Sequence, residues 1–195
     1  MQTSLHTAPA VDPVTLTEVK NHLRIDLLNF DHDDYLKNII AAAVHEIEQI
    51  TKRRLITQTW QAFYDYWPSN GFLELPFGQL QSVTHVKYTD TDADVTTWDS
   101  SEYIVDTDSD PGRVVLGYGE SWPTDTLYPS NPIEVQFVCG YGLAVSVPDM
   151  IKQAIKLKIS DLFENRESTV VGGGITVVNQ LASIKQLLRP YRLGL

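Results

Sequence analysis

Asp106, Asp108 and Asp110 stand at alternate positions, the spacing at which carboxylates can converge on one calcium ion. A calcium loop of the EF-hand kind also needs glycine at its sixth position, for a sharp turn, and a bidentate glutamate at its twelfth. Pro111 and Gly117 occupy those places, and no helical pattern flanks them. Asp90, Asp92 and Asp94 repeat the spacing and fail in the same way, with Val95 and Ser101. Both runs read as hairpin turns, in which short acidic side chains bond to their own backbone. His6, His22, His32, His45 and His85 include no H-x-x-x-H or H-E-x-x-H pair that would set two imidazoles on one metal. They read as surface residues, with His45 on a helix face. Cys139 could meet a histidine only in space, and its place at the end of an apolar run reads as a small buried core residue. Gly172-Gly173-Gly174 lacks the lysine and hydroxyl of a phosphate loop, while Gly117-x-Gly119 and Gly140-x-Gly142 lack the third glycine of a dinucleotide site. Glu46, Glu48 and Glu164 read as a solvated helix face. No residue set for catalysis emerges, and no metal or cofactor is implied.

The elements that would position any site begin with Thr15 and Glu18. They form a T-x-x-E capping box for a short helix from about Leu16 to Leu23, with Val14 and Val19 placed as a hydrophobic staple. Asp31, Asp33 and Asp34 put negative charge at the start of the next helix, where the macrodipole favours it. That helix carries Leu36, Ile39, Ile40, Ala43, Ile47 and Ile50 at intervals of three and four, with Lys37, His45, Glu48, Gln49 and Lys52 mostly on the other side. Lys52, Arg53 and Arg54 read as the cations of its carboxyl end. Helical character thus spans residues 15–55 and returns over 147–166.

From Ile56 the period is two. Trp60, Ala62, Tyr64 and Tyr66 alternate with Gln61, Phe63 and Asp65, which predicts a strand with aromatic residues on its packed face. Further strands are predicted at 72–75, 82–89, 94–98, 103–106, 113–116 and 133–139, separated by turns rich in Asp, Gly and Pro. Trp122-Pro123 and Tyr128-Pro129-Ser130-Asn131-Pro132 mark a surface loop. Pro148 suits the first turn of a helix with Ile151, Ala154, Ile155, Leu162 and Phe163 inward and Lys152, Lys156 and Lys158 in water. The three glycines read as a hinge, followed by a short helix that Pro190 stops. The fold class is α+β: a helical layer of N- and C-terminal helices with an inserted antiparallel β module. The divisions are an N-terminal arm and helices over 1–55, the β module over 56–146, a C-terminal helix over 147–171, and a hinge with a docking arm over 172–195.

Composition narrows the class. The chain has 195 residues, 43% hydrophobic and 21% charged, enough for one substantial core or for a helical layer with a β module. One cysteine rules out an intramolecular disulfide and fits a reducing cytoplasm. Met1 to Pro13 has neither the basic start nor the apolar run of a signal peptide, and no run is long enough to span a bilayer, so no membrane partner is expected. A formal net charge of −10 opposes ordinary DNA binding, which needs a basic footprint to displace counterions from phosphates.

Several strings occur in a shared order: Thr15-Leu16-Thr17-Glu18-Val19-Lys20-Asn21-His22-Leu23-Arg24-Ile25-Asp26, then Thr51-Lys52-Arg53-Arg54-Leu55-Ile56-Thr57-Gln58-Thr59-Trp60, then Leu75-Pro76-Phe77-Gly78-Gln79-Leu80-Gln81-Ser82-Val83. Cys139-Gly140-Tyr141-Gly142, Val147-Pro148-Asp149-Met150-Ile151 and Leu187-Leu188-Arg189-Pro190-Tyr191-Arg192 complete it. In that order the chain resembles the gp6-like and gp8-like head-tail connector (adaptor) proteins of tailed bacteriophages. The resemblance implies a structural virion protein, made in the host cytoplasm, that forms a ring in the neck below the portal vertex. Its implied partners are copies of itself, in a twelvefold ring, the portal protein, and a downstream neck or tail completion component. Double-stranded DNA would be channel cargo only, sliding past an acidic lumen. Family members often carry glycine where Lys52 stands, which implies that the helix runs on here by a residue or two. They also have a proline-containing approach to the final Leu-Leu-x-Pro-Tyr-Arg string, which Val177-Val178-Asn179-Gln180 lacks.

Leu181, Ile184, Leu187 and Leu188 make an apolar stripe on a helix too short to be stable alone. Residues 175–195 are therefore expected to dock on a neighbour, either the next subunit or the portal, with Arg189, Tyr191 and Arg192 as anchors, and the monomer to stay folded without them. The rival from another class is an aromatic-rich β module that binds carbohydrate or protein through Trp60, Tyr64, Tyr66, Trp67 and Trp98. Alternating aromatics are more often core, and such a module has no need of bracketing helices.

Overall fold

The computed structural model describes residues 1–165 and 180–194. It contains two compact units: Met1–Ala10 with Lys52–Gly142, and Val11–Thr51 with Leu143–Gly194. The hinge glycines Gly172, Gly173 and Gly174 and the approach Val177-Val178-Asn179 lie outside the described residues.

The helical unit opens with α1 (Leu16–Leu23). Its capping box is formed: the Glu18 amide donates to Thr15 Oγ1 at 3.2 Å, and the Thr15 amide donates to Glu18 Oε2 at 2.7 Å. The bond from the Thr15 amide, with a weaker one from the Thr15 hydroxyl to Glu18 Oε2 at 2.9 Å, holds the Glu18 carboxyl below its usual range. Val14 and Val19 are buried as the staple requires. α2 (Asp33–Thr51) buries Leu36, Ile39, Ile40, Ala43 and Ile47, as the three-four spacing predicts. It packs against α3 (Asp149–Glu164), which buries Ile151, Ala154, Ile155 and Ile159 and has Pro148 as its N-cap. The two run antiparallel, because Tyr35 donates its hydroxyl to the Leu162 carbonyl at 2.9 Å while Lys158 pairs with Glu46 at 3.0 Å. Lys158 and Glu46 thus depart from the expectation of a wetted face: the lysine side chain is 14% exposed and lies over the helix seam. α4 (Gln180–Leu188), followed by a 3-10 turn at Arg189–Tyr191, rests on α3 and α2.

The end of α2 corrects the sequence reading. The helix does not run on; it stops at Thr51, and Lys52 takes the left-handed conformation, φ 59°, that glycine adopts more easily. Lys52→Gly removes the clash between Cβ and the following carbonyl that makes this region costly for an L-residue. The variant is expected to be more stable by about 0.5–1 kcal/mol once its looser unfolded chain is counted, read as a rise of about 1–4 °C in thermal midpoint.

The β unit holds two antiparallel sheets. The first has the order β1 (Gln2–Thr7), β2 (Gln58–Tyr64), β8 (Ile133–Cys139), β4 (Leu80–Thr89), β5 (Val95–Thr97). The second is β3 (Phe72–Glu74), β7 (Arg113–Leu116), β6 (Tyr103–Asp106). Ile133, Val135, Phe137 and Cys139 of the central strand all point into the core, where Ala62, Val86, Leu73, Val114 and Trp98 meet them. Two irregularities in β4, between Leu80 and Ser82 and between Val83 and His85, break its alternation.

Two details differ from the sequence reading. β1 was expected only as part of an arm; it pairs with β2 from Gln2↔Phe63 to Thr7↔Thr59, through backbone bonds. All its side chains but Thr3 are exposed, so no buried period marks it in the sequence. Tyr66, expected on the packed face of β2, is exposed. The β2–β8 ladder ends at Tyr64↔Ile133, and the next residue of the partner strand, Pro132, has no amide hydrogen to continue it.

Candidate assembly surface

The residues with chemical spacing are used structurally. Asp106 accepts from Ser109 Oγ at 2.6 Å, the Ser109 amide at 3.0 Å and Arg113 Nε at 2.8 Å. These bonds, the serine hydroxyl first, hold its carboxyl down at about 2. Asp110 turns elsewhere, taking the Arg53 guanidinium through both oxygens, and Asp108 is exposed. Asp90 caps its own turn, accepting from the amides of Asp92 at 2.9 Å and Asp94 at 3.0 Å. Among the described residues, no group of three or more His, Cys, Asp or Glu could hold a metal. Cys139 is buried in the core. His85 Nε2 lies 3.0 Å from Glu134 Oε1, which also accepts from Gln61 at 2.9 Å, a polar ladder across three strands of the first sheet.

Arg53 and Arg54 also depart from expectation. They do not serve as exposed helix-end cations: each is only 6% exposed, inside the β unit. Arg54 lies over two rings that meet edge to face, its guanidinium carbon 3.8 Å from the centre of Phe77 and 4.4 Å from that of Trp60. Arg53 reaches Asp110 beside Gly78, where any added Cβ would overlap the guanidinium. Planar, always-charged guanidinium groups suit such buried stacking and forked pairing better than a lysine would.

The aromatic faces named in the rival reading are largely occupied by the chain itself. Trp67 stacks on Trp122 at 4.9 Å and 10°, and Trp98 closes on both at 5.6 and 5.2 Å. Trp60 faces Arg54, and the Tyr64 hydroxyl donates to the Glu74 carbonyl at 2.6 Å, its phenol pushed well up by burial. Tyr66 alone of the five is exposed.

The expected docking residues divide. Ile184 and Leu188 are buried within the helical unit, so part of the stripe that a lone helix could not cover is covered by the chain's own helices. Leu187 and Tyr191 are half-buried, and Arg189 and Arg192 are exposed. The Leu181 side chain lies outside the description. Leu193, which the sequence reading passed over, anchors the end: it is buried, and its amide donates to the Thr51 carbonyl at 2.9 Å. Residues 180–194 carry Lys185, Arg189 and Arg192, all exposed, and no carboxylate.

A second surface was missed altogether. Between α1 and α2 the chain exposes Leu27 at 45%, Leu28 at 79% and Phe30 at 67%. This knuckle is built, not loose. Lys20, 3% exposed, reaches under it to the Asn29 carbonyl at 2.8 Å and to Asp33 at 2.5 Å, and lies 4.9 Å from the centre of the Phe30 ring. Asp26 accepts from the Leu28 amide at 2.9 Å, and Asn29 from the Asp31 amide at 2.9 Å. The available signal was three large apolar residues crowded into a short acidic connection, where turn chemistry alone would favour polar ones. Leu143, Val145 and Met150, around the start of α3, are also exposed.

Fold and surface together define a two-unit α+β protein that exposes an apolar knuckle between α1 and α2 and a cationic C-terminal arm. Residues 13–111 match the family described as phage gp6-like head-tail connector protein, and the chain belongs to that family. Its role is that of a structural connector. Its fold is also that of chains from gene transfer agent particles. Against one from the neck of an empty particle computed with C6 symmetry, the TM-score is 0.81 at 21% identity, covering 100% of this chain and 97% of that one. Against one from the virion of the native particle the TM-score is 0.80, and against one from the native neck computed with C12 symmetry it is 0.79. Identity is 19% in both, with the same coverage. No curated protein matches the chain.

Proposed function

We propose that this protein assembles as a closed ring in the virion neck, below the portal, where it extends the DNA channel and offers a docking surface to the next neck or tail component. The observation that carries the reading is the end-to-end likeness of the fold to chains from necks solved with sixfold and twelvefold symmetry, joined to membership of the connector family. The action is mechanical and catalyses no reaction. Twelve copies at −10 each would carry −120, and carboxylates facing the lumen would keep DNA from adhering while it passes. Leu187, Arg189, Tyr191 and Arg192 form the docking face of the C-terminal arm. Cryo-electron microscopy of assembled particles should show a closed ring of this chain between portal and tail, with an acidic inner wall. A single asymmetric copy, or absence from the particle, would overturn the ring; a strongly basic wall would overturn the account of the channel.

A further inference from the structure

We propose that the ring closes by seating the knuckle of one copy, Leu27, Leu28 and Phe30, on the cationic C-terminal arm of the next. This rests on the ring reading and names the contact that makes it.

A cyclic assembly of more than two copies needs a heterologous interface: two unlike, mutually complementary patches on every subunit, placed so that the contact can repeat. The helical unit has such a pair at the two ends of one rod. The knuckle leads directly into the first turn of α2, whereas the arm is tied to its last residue through the bond from Leu193 to Thr51. A helix of 19 residues holds these ends roughly 28 Å apart. The patches are also of opposite sign. Residues 24–34 hold one arginine and four aspartates, of which Asp26, Asp31 and Asp34 are exposed. Residues 180–194 hold three cations and no acid, in a chain whose net charge is −10. Leu143, Val145 and Met150, around the start of α3, are also exposed, and because α3 is antiparallel to α2 they lie towards the arm end of the rod, where they can widen the apolar seat. The knuckle is preorganised by its buried lysine, so little ordering is lost on docking.

Opposite charge gives a test that a merely structural role would not pass. One variant reverses the knuckle, Asp31→Lys with Asp34→Lys, and another reverses the arm, Arg189→Glu with Arg192→Glu. All four positions are exposed, so both variants should keep the wild-type circular dichroism. The arm variant should keep its melt, and the knuckle variant should melt a few degrees lower, since it loses the Asp34–Lys37 pair and the acidic start of α2, while remaining folded at the assay temperature. Each is added to portal-bearing heads made without this protein, alone and as an equimolar mixture, and incorporation is counted. Each alone should incorporate at least tenfold less than wild type, because its two patches then repel. The mixture should recover most of the loss, since the two variants can alternate around an even-numbered ring. Loss without recovery in the mixture would overturn the knuckle-to-arm contact and point to the portal as the arm's partner. Normal rings from either variant alone would overturn it too. If wild-type protein forms no ring on such heads, the reading beneath the proposal fails with it.

Discussion

Gly140→Ala is expected to destabilise the β unit by about 3 kcal/mol or more. Gly140 sits at φ 122°, where an L side chain is strained, immediately after the central strand β8. A Cβ there would lie 2.5 Å from the Ile56 carbonyl oxygen and 2.9 Å from the Thr57 amide nitrogen, both backbone atoms that cannot swing aside. The same residue donates its amide to the Gln79 carbonyl at 2.9 Å and accepts from Gln81 Nε2 at 2.8 Å, so relieving the overlap would also loosen the start of β4. Urea denaturation followed by tryptophan fluorescence reports on this unit directly, because all four tryptophans lie in it. Gly119→Ala is the control for dihedral strain, having φ 83° with nothing within 4 Å of the added carbon. Equal losses in the two variants would refute the close-approach argument.

Leu188→Ala should cost the helical unit about 2–5 kcal/mol, the range for emptying a buried leucine site. Leu188 is fully buried, and Ile184 and Leu193 flank it on the same arm. A far-UV melt should show the loss, while Arg192→Ala, on the exposed side, should change stability by less than about 0.5 kcal/mol. Deleting the whole arm is expected to be at least as damaging as Leu188→Ala. That revises the expectation, drawn from the sequence, that the monomer would keep its fold without the arm. An unchanged melt for Leu188→Ala would restore that expectation.

The difference between those expectations shows what sequence could and could not carry. Patterns that act locally were legible: the Thr15–Glu18 box, the three-four spacing of α2, and the turn-bounded strand predicted over 133–139 all produced the elements they predict. A stripe such as Ile184 and Leu188, however, says only that something covers it, and whether the cover belongs to the same chain is decided by tertiary geometry. Arg53 and Arg54 misled for a related reason. Helix-end cations and buried guanidinium groups look alike until Phe77, Trp60 and Asp110 arrive from distant segments. β1 left no trace, because an edge strand held by backbone bonds needs no apolar period. The assembly surface was half legible: Arg189 and Arg192 could be named, but the knuckle required knowing that Lys20 turns inward and holds Leu27, Leu28 and Phe30 outward.

The interleaving of the two units along the chain sets a timetable for synthesis. Strand β2 has its central partner only when residues 133–139 have left the ribosome, and β1, made first, waits for β2. The helical unit waits longer: Tyr35 meets Leu162 across a separation of 127 residues, and Thr51 receives its bond from Leu193. Contacts so distant in sequence require large loops to close before they stabilise anything, which slows folding. The β unit draws on nothing between Gly142 and the arm and can close first, and the knuckle is held by bonds within residues 20–33, so the arm end is completed late. The arm proposed to receive a neighbouring copy is thereby among the later parts to take shape, and nascent chains crowded on one message would have no finished arm with which to join.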